Sequence, residues 1–220
     1  MPQYNSHFYD FYTYPDSPNQ ISNLAAEAKR YGFSGIVVID PKINKETILP
    51  DDFSIYKGVD IQATPSRIRE EIRKYRKTNH ILIVNGGDEE INRAAVESEG
   101  LDILLQPSGI NNVIAKTASD NSIALGFNLG LLIKFRGDAR VRELKNMRIN
   151  IKHARKYELP MILTCHSNSV YDLRSPREMA ALSSLFGMTP KEAIDAMSAT
   201  PLGILRRKSP NHIQEGIEII

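Results

Sequence analysis

The chain has 220 residues, 41% hydrophobic and 25% charged, an ordinary balance for a globular protein. No uninterrupted apolar run approaches the roughly 18 residues of a membrane span, and the N-terminus lacks the basic flank and apolar core of a signal peptide. The single cysteine, Cys165, excludes an internal disulfide and a Cys-rich zinc site and suits a reducing, cytoplasmic setting; a net charge of +2 is too small to name a partner by itself.

The aromatic run from Phe8 reads as a first strand leading into a loop that ends at Pro18. Tyr12 and Tyr14, two residues apart, point to one face of it. Residues 19–30 read as a helix, with Ile21, Leu24, Ala25 and Ala28 at helical spacing. The β-branched run 35–40 reads as a buried strand. Residues 55–63 form a weaker strand, interrupted by Lys57 and Gly58. Thr64 and Pro65 open a second helix as N-cap and first helical residue, with Ile68, Ile72 and Tyr75 on its inner stripe. Residues 80–85, 101–106, 122–128 and 160–165 read as further buried strands. Between the last two lies a long basic helix, 140–157. Ser175 with Glu178, and Thr189 with Glu192, form two capping boxes, each with Pro at the first helical position.

Strands regularly separated by helices imply βαβ units and a parallel sheet. No Gly-rich fingerprint follows the first strand, which argues against a dinucleotide-binding sheet. No linker or low-complexity segment divides the chain. The reading is one α/β domain over residues 1–220, barrel-like, with about seven parallel strands and a short tail from about residue 207. Sites in such barrels gather at the C-terminal strand ends. Tyr12, Tyr14, Asp40, Asp60, Gln106, Asn128 and His166 are expected there.

The five histidines form no His-x-His or HExxH pattern. His7 and His80 fall at strand starts, His153 in the basic helix and His212 in the polar tail, so only His166 is placed as a ligand would be. Cys165 and His166, as strand neighbours, face opposite ways, and no nucleophile elbow is present. Basic residues crowd the helix from Pro65 and the helix 140–157. Most such residues serve as solvated helix faces. Arg174 and Arg177 differ, because they flank a helix N-cap. Their guanidiniums and the first-turn amides suit phosphate, while Arg177 opposes the helix dipole.

The order of the segments YDFYTYPDS, GFSGIVVID, LDILLQPSGINN, SIALGFNL and DLRSPREMAALSSLFGM resembles the archaeal and eukaryal RNase P protein component 3 family, the p30 subunit. That family is related to the PHP metallo-phosphoesterases. The resemblance therefore implies a TIM-like, PHP-type β/α barrel. Where PHP enzymes end their first strand in Asp-Leu-His-Val-His, this chain has Asp10, Phe11, Tyr12, Thr13 and Tyr14. Their Gly-x-Glu strand matches Gly58, Val59 and Asp60, and their His-Pro motif matches Gln106 and Pro107. Their last Asp-x-His motif falls on His166, Ser167 and Asn168. The implied site is a degenerate metal centre made of Tyr12, Tyr14, Asp60, Gln106, His166 and Asn168. Phenol and amide replace imidazole there, and a neutral phenol with a pKa near 10 is a poor ligand for Zn²⁺ or Mn²⁺.

The resemblance also implies a function without catalysis by the chain itself. It would be a protein subunit of ribonuclease P, which removes 5′ leaders from precursor tRNA. It would bind and stabilise the RNA subunit, which carries the catalysis with Mg²⁺ held by RNA. No cofactor would be bound by the protein. The implied partners are RNase P RNA, the Pop5 subunit in a heterotetramer, other RNase P proteins and, through the holoenzyme, precursor tRNA. No membrane is involved. Arg174, Arg177, Arg93, Lys116 and Arg136 are the candidate RNA contacts. The alternatives are an active PHP-type metal-dependent phosphoesterase using Asp60 and His166, and a scaffold that touches protein only.

Overall fold

A computed structural model describes residues 7–39, 48–209, 212–214 and 217–218. Strands β1 (Phe8–Thr13), β2 (Phe33–Ile39), β3 (Ser54–Asp60), β4 (Ile81–Asn85), β5 (Ile103–Leu105), β6 (Ala124–Asn128) and β7 (Met161–Thr164) pair in chain order, each parallel to the next. Helices α1 (Pro18–Arg30), α2 (Pro65–Tyr75), α3 (Glu89–Val96), α4 (Asn112–Asp120), α5 (Leu129–Lys134) and α6 (Gly137–Lys156) connect them. After β7 come α7 (Pro176–Ser183), α8 (Pro190–Met197) and α9 (Ala199–Lys208). The architecture is a nearly closed α/β barrel of the TIM type. Both predicted capping boxes are formed, Ser175 with Glu178 at α7 and Thr189 with Glu192 at α8. Thr64 does sit at the N-cap of α2, but its hydroxyl faces Ser66 rather than a helix amide. Among the described residues, no helix is long and apolar enough to cross a membrane.

Several strands are shorter than the apolar runs that predict them. Gln106 and His166 adopt left-handed backbone, φ 47° and 53°, which turns the chain out of the sheet after β5 and β7. β3 ends at Asp60 rather than Ala63, and β2 starts earlier, at Phe33, with Asp40 outside the described residues. The long helix begins at Gly137, three residues before the predicted start. At the C-terminus, α9 runs through Lys208, and His212–Gln214 then pairs antiparallel with Ile217–Glu218 as β8 and β9.

Strand alternation divides the core in two. In β4, Ile81 and Ile83 face the barrel interior, while Leu82 and Val84 pack under the helices. Gly58 does not interrupt β3. A Cβ there would lie 2.6 Å from Ile39 Cδ1 and 2.7 Å from Val37 Cγ1, so glycine is what lets the interior close. Ile204 of α9 joins the interior cluster, and the Lys208 ammonium reaches the buried Asp102 carboxylate at 2.8 Å.

The barrel closes between β1 and β7 without a regular ladder. A single parallel bridge joins Thr13 to Ser167, with Tyr14 N–H donating to Ser167 O at 2.8 Å and Ser167 N–H to Tyr12 O at 3.3 Å. Side chains supply the rest. The fully buried Asp10 carboxylate accepts from Thr164 Oγ1, from Tyr12 N–H at 3.2 Å and from Cys165 N–H at 3.4 Å. A bulge lies beside it: Asp10 pairs with Ile36 and Thr13 with Val38, so three steps of β1 match two of β2. In consequence Phe11 and Tyr12, neighbours in sequence, both belong to the interior cluster.

Burial pushes the Asp10 carboxyl up to about 6, outweighing the three donors that favour its charged form. Its folded value lies above the unfolded one, so its stabilising contribution is complete below about pH 4 and lost as pH rises through about 6. Asp10→Asn removes this titration. Between pH 4 and 6.5, the unfolding free energy of the wild type should fall by about 2–3 kcal/mol relative to the variant. Urea titrations at a series of pH values would read the difference, and parallel profiles would contradict it.

Candidate functional site

The C-terminal strand ends form a mouth centred on one carboxylate. Asp60, at the end of β3, accepts from three neutral donors: Tyr12 Oη–H at 2.9 Å, Gln62 Nε2 at 2.8 Å and Asn85 Nδ2 at 2.8 Å. The Tyr12 ring stacks on the His166 imidazole, with centroids 3.9 Å apart and planes 16° from parallel. The bulge in β1 carries Tyr12 into this position, and the left-handed backbone of His166 folds the imidazole back over it. Burial, then the Asp60 charge and hydrogen bond, push the Tyr12 phenol well above its usual range. Burial lowers the His166 imidazole below its ordinary value, against the opposing pull of a backbone hydrogen bond and Asp60.

The six positions of the implied metal centre do not stay together. Tyr12, Asp60 and His166 form one contiguous group. Tyr14 is 43% exposed and lines the outer rim of a cavity that also borders Asp60 and Gln62. Gln106 is fully engaged elsewhere: its Oε1 accepts from Asn128 N–H at 3.0 Å and its Nε2 donates to Glu143 Oε2 at 3.0 Å. Asn168 is exposed, its backbone N–H donating to Asp172 in a local turn. Asn85 and Gln62 are mouth residues that the sequence reading missed. Asn85 ends β4 beside β3, and Gln62 lies two residues past Asp60, so both follow from strand level once the register is known.

This donor set does not fit a metal. Among the described residues, no three His, Cys, Asp or Glu side chains converge. Asp60 spends both oxygens on hydrogen bonds, and a phenol held in its neutral form cannot replace an imidazole as a ligand. Cys165, buried and free, has its thiol pushed well up by burial and by Asp10, so it stays unreactive.

The candidate RNA contacts are spread over helices α3, α4 and α7, the N-cap of α6 and the loop before α7. Arg93 of α3 pairs with Glu89 at 2.8 Å, and Lys116 of α4 pairs with Asp120; both are i,i+4 pairs on exposed faces. Arg136 is the N-cap of α6 and donates to Ile133 O and Phe135 O. Arg174 donates to Tyr171 O at 2.8 Å and Leu173 O at 2.6 Å. Arg177 is exposed in the first turn of α7, beside an apolar groove that includes Phe8 and Tyr31.

The mouth network has a measurable consequence. Tyr12→Phe removes one of three donors to Asp60 while keeping the stack on His166. It should lower stability by about 1 kcal/mol. Millimolar Mn²⁺ or Zn²⁺ should leave the melting temperature of the wild type within about 1 °C. A rise of several degrees, abolished by His166→Ala, would reveal a working metal centre.

The chain matches the family described as RNase P subunit p30 over residues 7–211. It is 41% identical to Ribonuclease P protein component 3 of Methanococcoides burtonii, across 96% of this chain and 93% of that one. The protein of the same description from Methanosarcina mazei is 37% identical across 97% of this chain and 95% of its own length. A chain in the cryo-EM structure of archaeal Ribonuclease P with mature tRNA superposes with a TM-score of 0.78 at 27% identity, covering 96% of this chain and 97% of that one. An amidohydrolase structure superposes with a TM-score of 0.64 at 7% identity, over 91% of this chain and 74% of that one, a likeness of fold alone. With 41% identity along nearly its whole length and a family match from residue 7 to 211, the chain belongs to the RNase P subunit p30 family.

Proposed function

We propose that this chain, a protein subunit of ribonuclease P, acts by binding the RNA subunit and stabilising its active shape, while the RNA carries the catalysis with its own Mg²⁺. The observation that carries this reading is the mouth. The place where a barrel hydrolase gathers charged ligands holds one carboxylate saturated by three neutral donors. With 28 Lys and Arg against 26 Asp and Glu the chain has little net positive charge, so the repulsion among packed phosphates is lowered by locally placed cations rather than by the overall charge. Precursor tRNA is the substrate of the assembly, and its 5′ maturation is the product. The protein itself holds no cofactor. A Pop5-type subunit pairs with it in a heterotetramer, and the assembly works in the cytoplasm.

The test is cleavage of precursor tRNA by the RNA subunit with its small protein partner, with and without this chain, at limiting Mg²⁺. The chain should restore cleavage and should cleave nothing when the RNA is left out. Hydrolysis of phosphoesters by the chain alone would overturn the reading.

Among the candidate contacts, Arg174 and Arg177 flank the α7 N-cap, whose capping box already occupies the Ser175 and Glu178 amides, so the two guanidiniums are the groups there that would meet phosphate. Arg174→Ala with Arg177→Ala should weaken RNA binding. It should also reduce the slope of log affinity against log salt by about 0.7–0.9 for each phosphate that is no longer neutralised. An unchanged slope and unchanged cleavage would remove both residues from the interface.

A further inference from the structure

The rim of the mouth carries a feature that phosphate neutralisation does not explain. Tyr171, in the loop between β7 and α7, is 86% exposed. Phe135, in the turn between α5 and α6, is 37% exposed. The two loops are tied together, because Lys134, next to Phe135, pairs with Asp172, next to Tyr171, at 3.4 Å. Asp172 is itself anchored, accepting from the backbone N–H groups of Asn168 and Ser169 and from Ser169 Oγ. These bonds and the Lys134 ammonium hold its carboxyl below the usual range against the effect of burial. The Lys134–Asp172 pair therefore links the two loops at one point of the rim.

Arginines frame both aromatic residues. Arg174 donates to Tyr171 O at 2.8 Å, and Arg140 donates to Phe135 O at 2.8 Å. Arg136 also donates to Phe135 O. Each guanidinium is planar and anchored by one edge to a main-chain carbonyl, which leaves its remaining N–H groups for an anion. Exposed aromatic faces beside oriented cations are what an unpaired nucleotide requires: a π-face for the base and cations for its flanking phosphates. A duplex offers no free base face. A protein partner could also bury the rings, but it would need an acidic surface to meet the three guanidiniums.

We propose that Tyr171 and Phe135 form a stacking platform for unpaired nucleotides of the RNA subunit, with Arg136, Arg140 and Arg174 holding the adjoining phosphates. This rests on the RNA-binding reading above and adds to it the strand state of the RNA and the side chains that meet its bases.

The chain lacks tryptophan, so Tyr171→Trp places a single indole reporter at the platform. The probes are the full RNA subunit, a mixed-sequence single-stranded 12-mer and a 12-base-pair RNA duplex. The indole should be quenched by the single strand and by the RNA subunit, and not by the duplex. Tyr171→Ala should weaken binding of the RNA subunit about tenfold with its salt slope unchanged. Tyr171→Phe should bind as the wild type does. Circular dichroism checks the fold of each variant, and the exposed position of Tyr171 makes unfolding an unneeded explanation. If Tyr171→Ala binds RNA normally while Arg174→Ala with Arg177→Ala binds poorly, stacking is overturned and RNA binding stands. If Tyr171→Ala fails only in assembly with the Pop5-type subunit, the platform is a protein contact and the proposal is overturned. If the wild type binds none of the three probes, the RNA reading falls and the platform with it.

Discussion

The fold depends on how β1 meets β7. Six of the seven junctions are parallel ladders, in which backbone groups satisfy one another. The seventh has one bridge, and Asp10 fills the gap by accepting from Thr164, Tyr12 and Cys165 across the seam. A buried carboxylate is a costly way to do this. Its advantage is geometric: one side chain with two oxygens takes the donors of two strands that are out of register. Asp10 is also the residue that the sequence resemblance sets against the first position of the hydrolase motif, and here it closes the barrel.

The same stretch of β1 determines the mouth. Without the bulge between Asp10 and Thr13, Phe11 and Tyr12 would face opposite sides, and the phenol would lie among the helices. With it, Tyr12 reaches Asp60 at 2.9 Å and supports His166. The residues then satisfy one another. The phenol gives the carboxylate a donor, burial and the carboxylate together hold the phenol protonated, and the half-buried imidazole stacks against the ring. A metal would have to displace all three arrangements together. This network and a bound metal are mutually exclusive uses of the same side chains.

Much of this was legible in the residues. The β-branched runs located the strands, the helical spacing located α1 and α2, and the capping boxes fixed the starts of α7 and α8 to the residue. The order of motifs identified the family. The pattern could not reveal events that depend on a neighbouring strand. The bulge of β1 is visible only against β2. Gly58 reads as a break in isolation and as a fitted position once Val37 and Ile39 face it. Gln106 and His166 end their strands through backbone angles that neither residue type demands. The separation of Asn168 and Gln106 from Asp60 has the same origin. Aligned motifs preserve sequence order, while side chains that share no ligand need no common point.

A metal centre binds its ligands to within tenths of an ångström, so it constrains every loop at the barrel mouth. Once hydrogen bonds among neutral groups fill that centre, only packing and local capping restrain the loops beyond the strand ends. Here the loop after β7 turns at His166, is pinned by Asp172 and hands the chain to the Ser175 cap. Its outward side carries Tyr171 and Arg174, neither of which the core requires. The loop between α5 and α6 presents Phe135 and Arg136 under the same freedom. Substrate chemistry in a barrel enzyme takes place within the mouth, where a small molecule can be enclosed. A macromolecule is too large to enter such a mouth and meets a barrel of this kind on its outer surfaces. On this scaffold the enclosed mouth is filled by side chains that satisfy one another, and the exposed aromatic and cationic side chains lie on the loops outside it.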